Sequence, residues 1–424
     1  MRRSISPWGR VFAGLDKVDF IKNKCLLQHP PLLWNRMQQG EDLSREVHRG
    51  LSATYVPTEG AVEIISKIVR ITAAFAGERY PSESQYLARV NAMHLEVEPG
   101  PIICLTGLAG VGKSSLIAAL GRLLAQQDDI RIPGHGARAH RPMLSIRMSD
   151  KWGEREIARQ LGFRGQSSID LARALYLQGT SLITQDEHQF MAAGVDSHAR
   201  QAKLIYSVAK QGPITLVGMN YSLVHKFKKR PQEERDRILR EPIILFPEAL
   251  DSAGWNDLML AWDAVLQEIL NFKLSQNSSD FWILCVGIKR TGIRLLELAA
   301  IRSMARGEKI SWEDVKSAHA SATFSEMRSD IDVLSSLRTD KRTARRDMIC
   351  PFENEAEALY QRSVKEALRK TFFRAAVVDA LPKKLREATT EELKAPAPKP
   401  AARKPRLKRD VESLISASIV FQQG

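Results

Sequence analysis

Gly107-Leu108-Ala109-Gly110-Val111-Gly112-Lys113-Ser114 is the stretch that most narrows what this chain can fold into. It fits the phosphate-loop pattern G-x-x-x-x-G-K-[ST]. Its flanks fit as well. The apolar run Ile102-Ile103-Cys104-Leu105 before it reads as a buried strand, and Ser115-Leu116-Ile117-Ala118-Ala119-Leu120 after it reads as a helix. Strand, glycine loop and helix, in that order, turn backbone N–H groups toward a phosphate and aim a helix N-terminus at it. Lys113 is then placed to reach the β- and γ-phosphates of a nucleotide, and the Ser114 hydroxyl to ligate Mg²⁺. Gly107, Gly110, Gly112 and Ser115 complete the loop, and ATP with Mg²⁺ is the expected cofactor.

The chain has 424 residues, enough for two or three domains, and its 44% apolar content supports a real core. A formal net charge of +14 points to a polyanionic partner, nucleic acid first and an anionic membrane surface second. No run of eighteen apolar residues suggests a membrane span, and Met1-Arg2-Arg3 is followed by no apolar signal region. The four cysteines are far apart, so neither a zinc site nor disulfides are indicated. A reducing compartment, the cytoplasm of a bacterial-type cell, is the expectation.

The expected fold class is α/β, a parallel-sheet nucleotide-binding core with a small helical lid and a flexible basic tail. Residues 1–57 read as an irregular N-terminal arm, 58–285 as the core, 286–345 as the lid, 346–381 as a helical extension and 382–424 as a disordered basic tail. Two readings of the arm stand: it docks on a partner or DNA, or it packs on its own core. A helical pattern over 58–76 starts at Thr58 as N-cap, and Tyr55 and Val56 just before it are placed to lie over the adenine. Met143–Ile146 reads as the second strand. Arg147, Lys151, Arg155 and Arg159 then cluster around a helix ending at Gly162, either as a surface for DNA phosphates or as a solvated face.

Ser181-Leu182-Ile183-Thr184-Gln185-Asp186-Glu187 is an apolar strand ending in two carboxylates. Asp186 would hold Mg²⁺ through water, and Glu187 would act as general base on the attacking water. Ile214–Asn220 is a third strand of this kind, ending in an amide. Asn220 would orient the lytic water and sense the γ-phosphate, and capping the next helix is compatible with that role. Arg235, Arg237 and Arg240 precede the strand Pro242–Phe246, where a ring-forming ATPase presents an arginine to its neighbour's γ-phosphate. Arg237 and Arg240 are counted among the catalytic residues without a choice between them. Trp255–Phe272 reads as a helix, and Phe281–Gly287 as a strand or a buried helix. Lys289–Arg302 is an amphipathic helix with cations at its N-terminus, which are unfavourable there without an anion. Arg290 or Arg294 would reach the phosphates from this lid, and Arg294 is counted with the nucleotide-binding residues. Ser311 looks like the cap of the next helix, and the apolar end Val411–Phe421 looks like a docking peptide on a basic tether.

Three successive strand ends carry the phosphate loop, Asp186-Glu187 and Asn220, and an arginine-rich helix and a helical lid follow. This resembles the AAA+ ATPases. Thr215–Asn220 with Arg230–Arg237, Pro242–Leu245 and Thr291–Ala299 narrows the resemblance to the TnsC/TniB family, over about residues 50–330. The resemblance implies an ATPase that forms rings or helical filaments on double-stranded DNA, receives a target-selecting protein and recruits a transposase. Hydrolysis would disassemble or proofread the polymer. It implies that Lys151 and Arg155 line a DNA channel and that the C-terminal tail hooks the transposase. Whether a guide-RNA complex selects the target stays open. Thr184-Gln185 depart from the family's usually apolar strand end. A replication-initiator or helicase-loader ATPase shares every nucleotide motif. A phosphate-loop kinase shares the loop but leaves the charge unexplained, and Glu187 argues against a non-hydrolysing scaffold.

Overall fold

The computed structural model describes residues 6–35, 42–92, 97–125, 129–132, 135–147, 168–186, 197–336, 345, 347–352 and 360–366. All of these fall within one compact unit, residues 1–368. Glu187, Lys151, Arg155, the expected helix ending at Gly162 and the tail 382–424 lie outside the described residues. Of Arg147 the structure describes only the backbone.

Five strands make one all-parallel sheet. In chain order they are β1 (Ile102–Gly107), β4 (Met143–Arg147), β5 (Leu182–Asp186), β6 (Ile214–Asn220) and β7 (Pro242–Leu245). Their spatial order is β4-β5-β6-β1-β7. The three central strands are buried almost throughout, as strands covered on both faces must be, which is why they read as mostly apolar runs. The two-residue period divides each strand between two cores. Ile103 and Leu105 of β1 face the helices α4 (Glu59–Arg79) and α6 (Lys113–Leu124). Cys104 faces α8 (Ser197–Ala209), α9 (Tyr221–Phe227) and α10 (Gln232–Leu239).

Thr184 and Gln185, the polar residues inside β5, are both buried. Thr184 donates its hydroxyl to Ser145 on the neighbouring strand at 3.0 Å, and both residues keep the register with β4. Between α6 and β4 the chain makes a short antiparallel hairpin, β2 (Ile130–Ile132) with β3 (Gly136–Arg138).

The arm is helical rather than irregular, and its described part packs on the core. It contains α1 (Pro7–Arg10), α2 (Val18–Cys25) and α3 (Leu43–Ala53). Trp8 is 2% exposed and stacks on Tyr80 and Tyr86, with α5 (Glu83–Val90) and α7 (Ser168–Leu177) supplying Tyr86 and Tyr176 to the same cluster. Ile21 and Cys25 of α2 reach the main core beside α6, where Arg122 donates to the Cys25 carbonyl at 3.0 Å. Leu27 and Tyr55 exchange backbone hydrogen bonds, at 2.9 and 2.7 Å, which ties the middle of the arm to its C-terminal end.

The lid is α12 (Ser278–Cys285), α13 (Lys289–Met304), α14 (Trp312–Ala320) and α15 (Ser325–Ser336), laid over α11 (Ala253–Leu266). Phe281–Cys285 is helix, not strand, and the helix read over Trp255–Phe272 stops at Leu266. Ser311 caps α14 in a reciprocal box with Asp314, as its sequence predicts. Thr58 occupies the N-cap position of α4, but its side chain makes no capping bond.

Candidate functional site

The phosphate loop leaves β1 at Gly107 and enters α6 at Lys113. Gly110 and Gly112 have φ of +80° and +113°, left-handed values that a side chain would resist. Gly107 is required for another reason: a Cβ there would lie 2.3 Å from the Leu245 carbonyl oxygen of the paired strand β7. The ammonium of Lys113 turns back into the loop and donates to the carbonyls of Gly107 and Leu108, each at 2.8 Å. Its side chain is buried, which pushes its pKa down to about 8. Asp186 opposes that shift and Arg290 adds to it.

Around the loop lies a cavity of about 440 Å³. The C-terminal ends of β5 and β6 bring Asp186 and Asn220 to this cavity, which Lys113, Ser114 and Ser115 also line. This is the switch-point position at which open parallel sheets bind ligands. Asn220 accepts from the Leu223 N–H at 2.9 Å and so caps α9 while lining the cavity. The arm lines the cavity with His48, Leu51, Ser52, Thr54, Tyr55 and Val56, and α11 adds Leu258 and Trp262. Tyr55 is buried with the Arg122 guanidinium 5.6 Å from its ring centre. A cavity lined by apolar and aromatic side chains together with cations and loop glycines suits a ligand with both a base and phosphates.

The lid contributes Lys289 and Arg290 to this cavity. Arg294 instead pairs with Glu297 at 2.9 Å and is not among the residues that line the cavity. Lys113, Lys289 and Arg290 are three cations around one space, and Asp186 is the single carboxylate among its described lining residues. Three cations against one carboxylate favour an anion in the space between them. Ser114 and Asp186 share the cavity, and no three metal-ligating side chains converge among the described residues. That donor set fits Mg²⁺, which takes one or two protein oxygens and completes its shell with phosphates and water.

Gly218, inside β6, went unnoticed in the sequence. A Cβ on it would stand 2.8 Å from Asp186 Oδ1 and 3.4 Å from Ile117 Cδ1. The Asp186 carboxylate reaches its place by lying across this glycine. The signal available was a lone glycine in a buried strand, which marks close approach.

Arg237 and Arg240 lie away from the cavity. They line a second, open groove of about 1380 Å³ with Ile102 and Ile103, at the opposite end of β1 from the phosphate loop. Arg237 is exposed and pairs with Glu233 at 2.6 Å, and Arg240 is exposed.

No family model matches the chain, and no curated protein does. Among solved structures it is similar to the Walker-type ATPase of Pyrococcus abyssi, with 16% identity over 60% of this chain and 77% of that one and a TM-score of 0.34. A RuvB variant of Thermotoga maritima matches 61% of this chain and 76% of its own, at 15% identity and a TM-score of 0.30. The ORC1 protein of Aeropyrum pernix in complex with DNA matches 78% and 71%, at 16% identity and a TM-score of 0.33. A strand order with β1 between β6 and β7, a phosphate loop on β1, Asp186 on β5, Asn220 on β6 and a helical lid decide the class. The fold is that of an AAA+ phosphate-loop ATPase.

Proposed function

We propose that the chain is an ATPase that assembles on double-stranded DNA and acts as a regulator of DNA transposition of the TnsC/TniB kind. The observation that carries the nucleotide reading is the convergence of Lys113, Lys289, Arg290, Asp186 and Asn220 on one cavity. ATP with Mg²⁺ fits it: Lys113 and the loop hold the phosphates, Ser114 and Asp186 face the metal, and Asn220 senses the terminal phosphate. Glu187 follows Asp186 directly and is the proposed general base.

Assembly is supported by Arg237 and Arg240. They cannot serve their own chain's nucleotide from the far end of β1, so a role in hydrolysis requires a second copy. DNA is supported by the net charge of +14, with Arg147, Lys151 and Arg155 as the proposed contacts. Phosphate contacts give affinity without sequence preference, which suits a protein that must accept many targets. The transposase, held through the 411–424 tail, and a target selector are the proposed protein partners.

ATP turnover measured alone, with random-sequence duplex DNA and with small phosphoryl acceptors tests this reading. A response to duplex DNA supports it. Phosphoryl transfer to a small acceptor, with indifference to DNA, would move the chain to the kinases.

A further inference from the structure

After the lid the chain returns to the core. Arg345 pairs with Asp330 of α15 and with Asp347, each at 2.7 Å. His225 Nε2 of α9 then donates to the Ile349 carbonyl at 3.1 Å. The Lys228 ammonium, just past the end of α9, donates to the Pro351 carbonyl and stands 4.7 Å from the centre of the Phe352 ring. Farther along, the Tyr360 hydroxyl donates to the Val286 carbonyl at 3.0 Å, and its ring lies 6.4 Å from that of Trp282. Three parts of the molecule are touched in turn: the lid's last helix, the core helix α9, and the joint between α12 and α13.

Two of these contacts lead to the nucleotide cavity. Asn220 lines the cavity and caps α9 with its side-chain oxygen. That leaves its amide N–H₂ for a ligand. α9 has seven residues, so cap and far end are only about 10 Å apart and move together. At the joint, Val286 and Gly287 have φ of +47° and +71° and reverse the chain into α13. Arg290 N–H then donates to the Gly110 carbonyl at 3.2 Å, so the lid's first turn rests on the phosphate loop.

The attachments differ in firmness. Tyr360 and Val364 are buried in the main core. Residues 347–350 and Phe352 are half-buried, and the side chains of α9 that hold them, an exposed lysine and a half-buried histidine, grip backbone carbonyls. Such contacts are individually modest, and segments held by them are where local opening begins.

We propose that this stretch is a latch. Tyr360 anchors it at the lid joint, and Lys228 and His225 seat residues 347–352 on the helix that Asn220 caps, so that nucleotide in the cavity and closure of the lid are coupled through α9. The inference rests on the nucleotide reading above and goes beyond the cavity to what holds the lid over it. Lid opening sets product release in many enzymes.

Release of a fluorescent ADP analogue from the full chain tests this, in wild type, Lys228→Ala, Lys228→Arg and Tyr360→Phe. Hydrogen exchange of peptides covering 347–352 and the first turn of α13 is followed with and without ADP. Loss of one ordinary hydrogen bond opens a contact about fivefold more often. Lys228→Ala and Tyr360→Phe should each speed release by about that factor, while Lys228→Arg stays near wild type. ADP should slow exchange over 347–352 in wild type. Lys228→Ala should raise it both there and in the first turn of α13. Lys228 is exposed, so this variant decides the matter even where Tyr360→Phe folds poorly. Faster exchange at 347–352 alone, with release unchanged, would reduce the contact to local packing and overturn the latch. Exchange over 347–352 indifferent to ADP would overturn it too, and both outcomes leave the nucleotide site standing. A wild type that binds no ADP would sink the nucleotide reading, and the latch with it.

Discussion

Asp186 reaches its position only because residue 218 has no side chain. Gly218→Ala places a methyl carbon 2.8 Å from Oδ1, so the carboxylate must swing away from the cavity. Displacement of a reacting group by about 1 Å costs on the order of a hundredfold in rate. Turnover should therefore fall by at least about tenfold and recover partly at high Mg²⁺. Binding of ATP in EDTA should stay within about threefold of wild type, since the loop itself is untouched. Equal loss with and without Mg²⁺ would show that the glycine serves packing instead. The lysines give a pH dependence with a definite sign. Lys113 titrates at about 8 in the folded, ligand-free protein and at 10.5 when unfolded, and burial also lowers Lys289. Between those two values the unfolded chain binds more protons, so this group's contribution to stability rises with pH across the window. Bound polyphosphate favours the charged form, so ATP affinity should fall as pH rises above about 8, with proton uptake on binding. Affinity measured at pH 7 and 9 checks this, and a flat profile would contradict it.

The elements that build the cavity differ in how legible they were. The loop, β1, β5 and β6 were plain in the sequence, since glycine spacing and mostly apolar runs are local signals. Phe281–Cys285 was ambiguous because a short apolar run fits a buried strand or a buried helix equally, and only the turn at Val286 and Gly287 settles it. The arm read as irregular because α1, α2 and α3 are short, of 4, 8 and 11 residues, and their stability comes from tertiary contacts. Trp8 is the clearest of these. Buried among Tyr80, Tyr86 and Tyr176, it fastens the start of the arm to α5 and α7. Trp8→Ala should cost about 3–5 kcal/mol in urea unfolding. A cost under about 1 kcal/mol would mean that the arm is only loosely attached. Among site residues, Lys113, Ser114, Asp186, Asn220 and Tyr55 meet where the motifs indicated, whereas Arg290 and not Arg294 lines the cavity. Helical spacing places both arginines on one face but does not say which turn touches the loop.

On the scale of the whole molecule, the nucleotide cavity and the Arg237–Arg240 groove occupy opposite ends of β1. A chain that hydrolyses ATP with these arginines must do so as an assembly. Arg237→Ala with Arg240→Ala should leave ATP affinity unchanged and lower turnover, by up to about a thousandfold if one of them reaches the neighbour's γ-phosphate. Wild-type turnover per chain should rise with protein concentration, and turnover independent of concentration would contradict a shared site. The place of these arginines just before the strand Pro242–Phe246 suggested such a role, and the structure adds that Arg237 and Arg240 lie at the end of β1 away from the loop.

The most direct measurement is binding to random-sequence duplex DNA with ATP, with ADP and without nucleotide, at several salt concentrations, comparing wild type with Lys113→Ala and imaging the products. The account predicts rings or filaments that need ATP, weaken steeply with salt and are lost in Lys113→Ala. A monomer that ignores DNA, or oligomers indifferent to nucleotide, would contradict it.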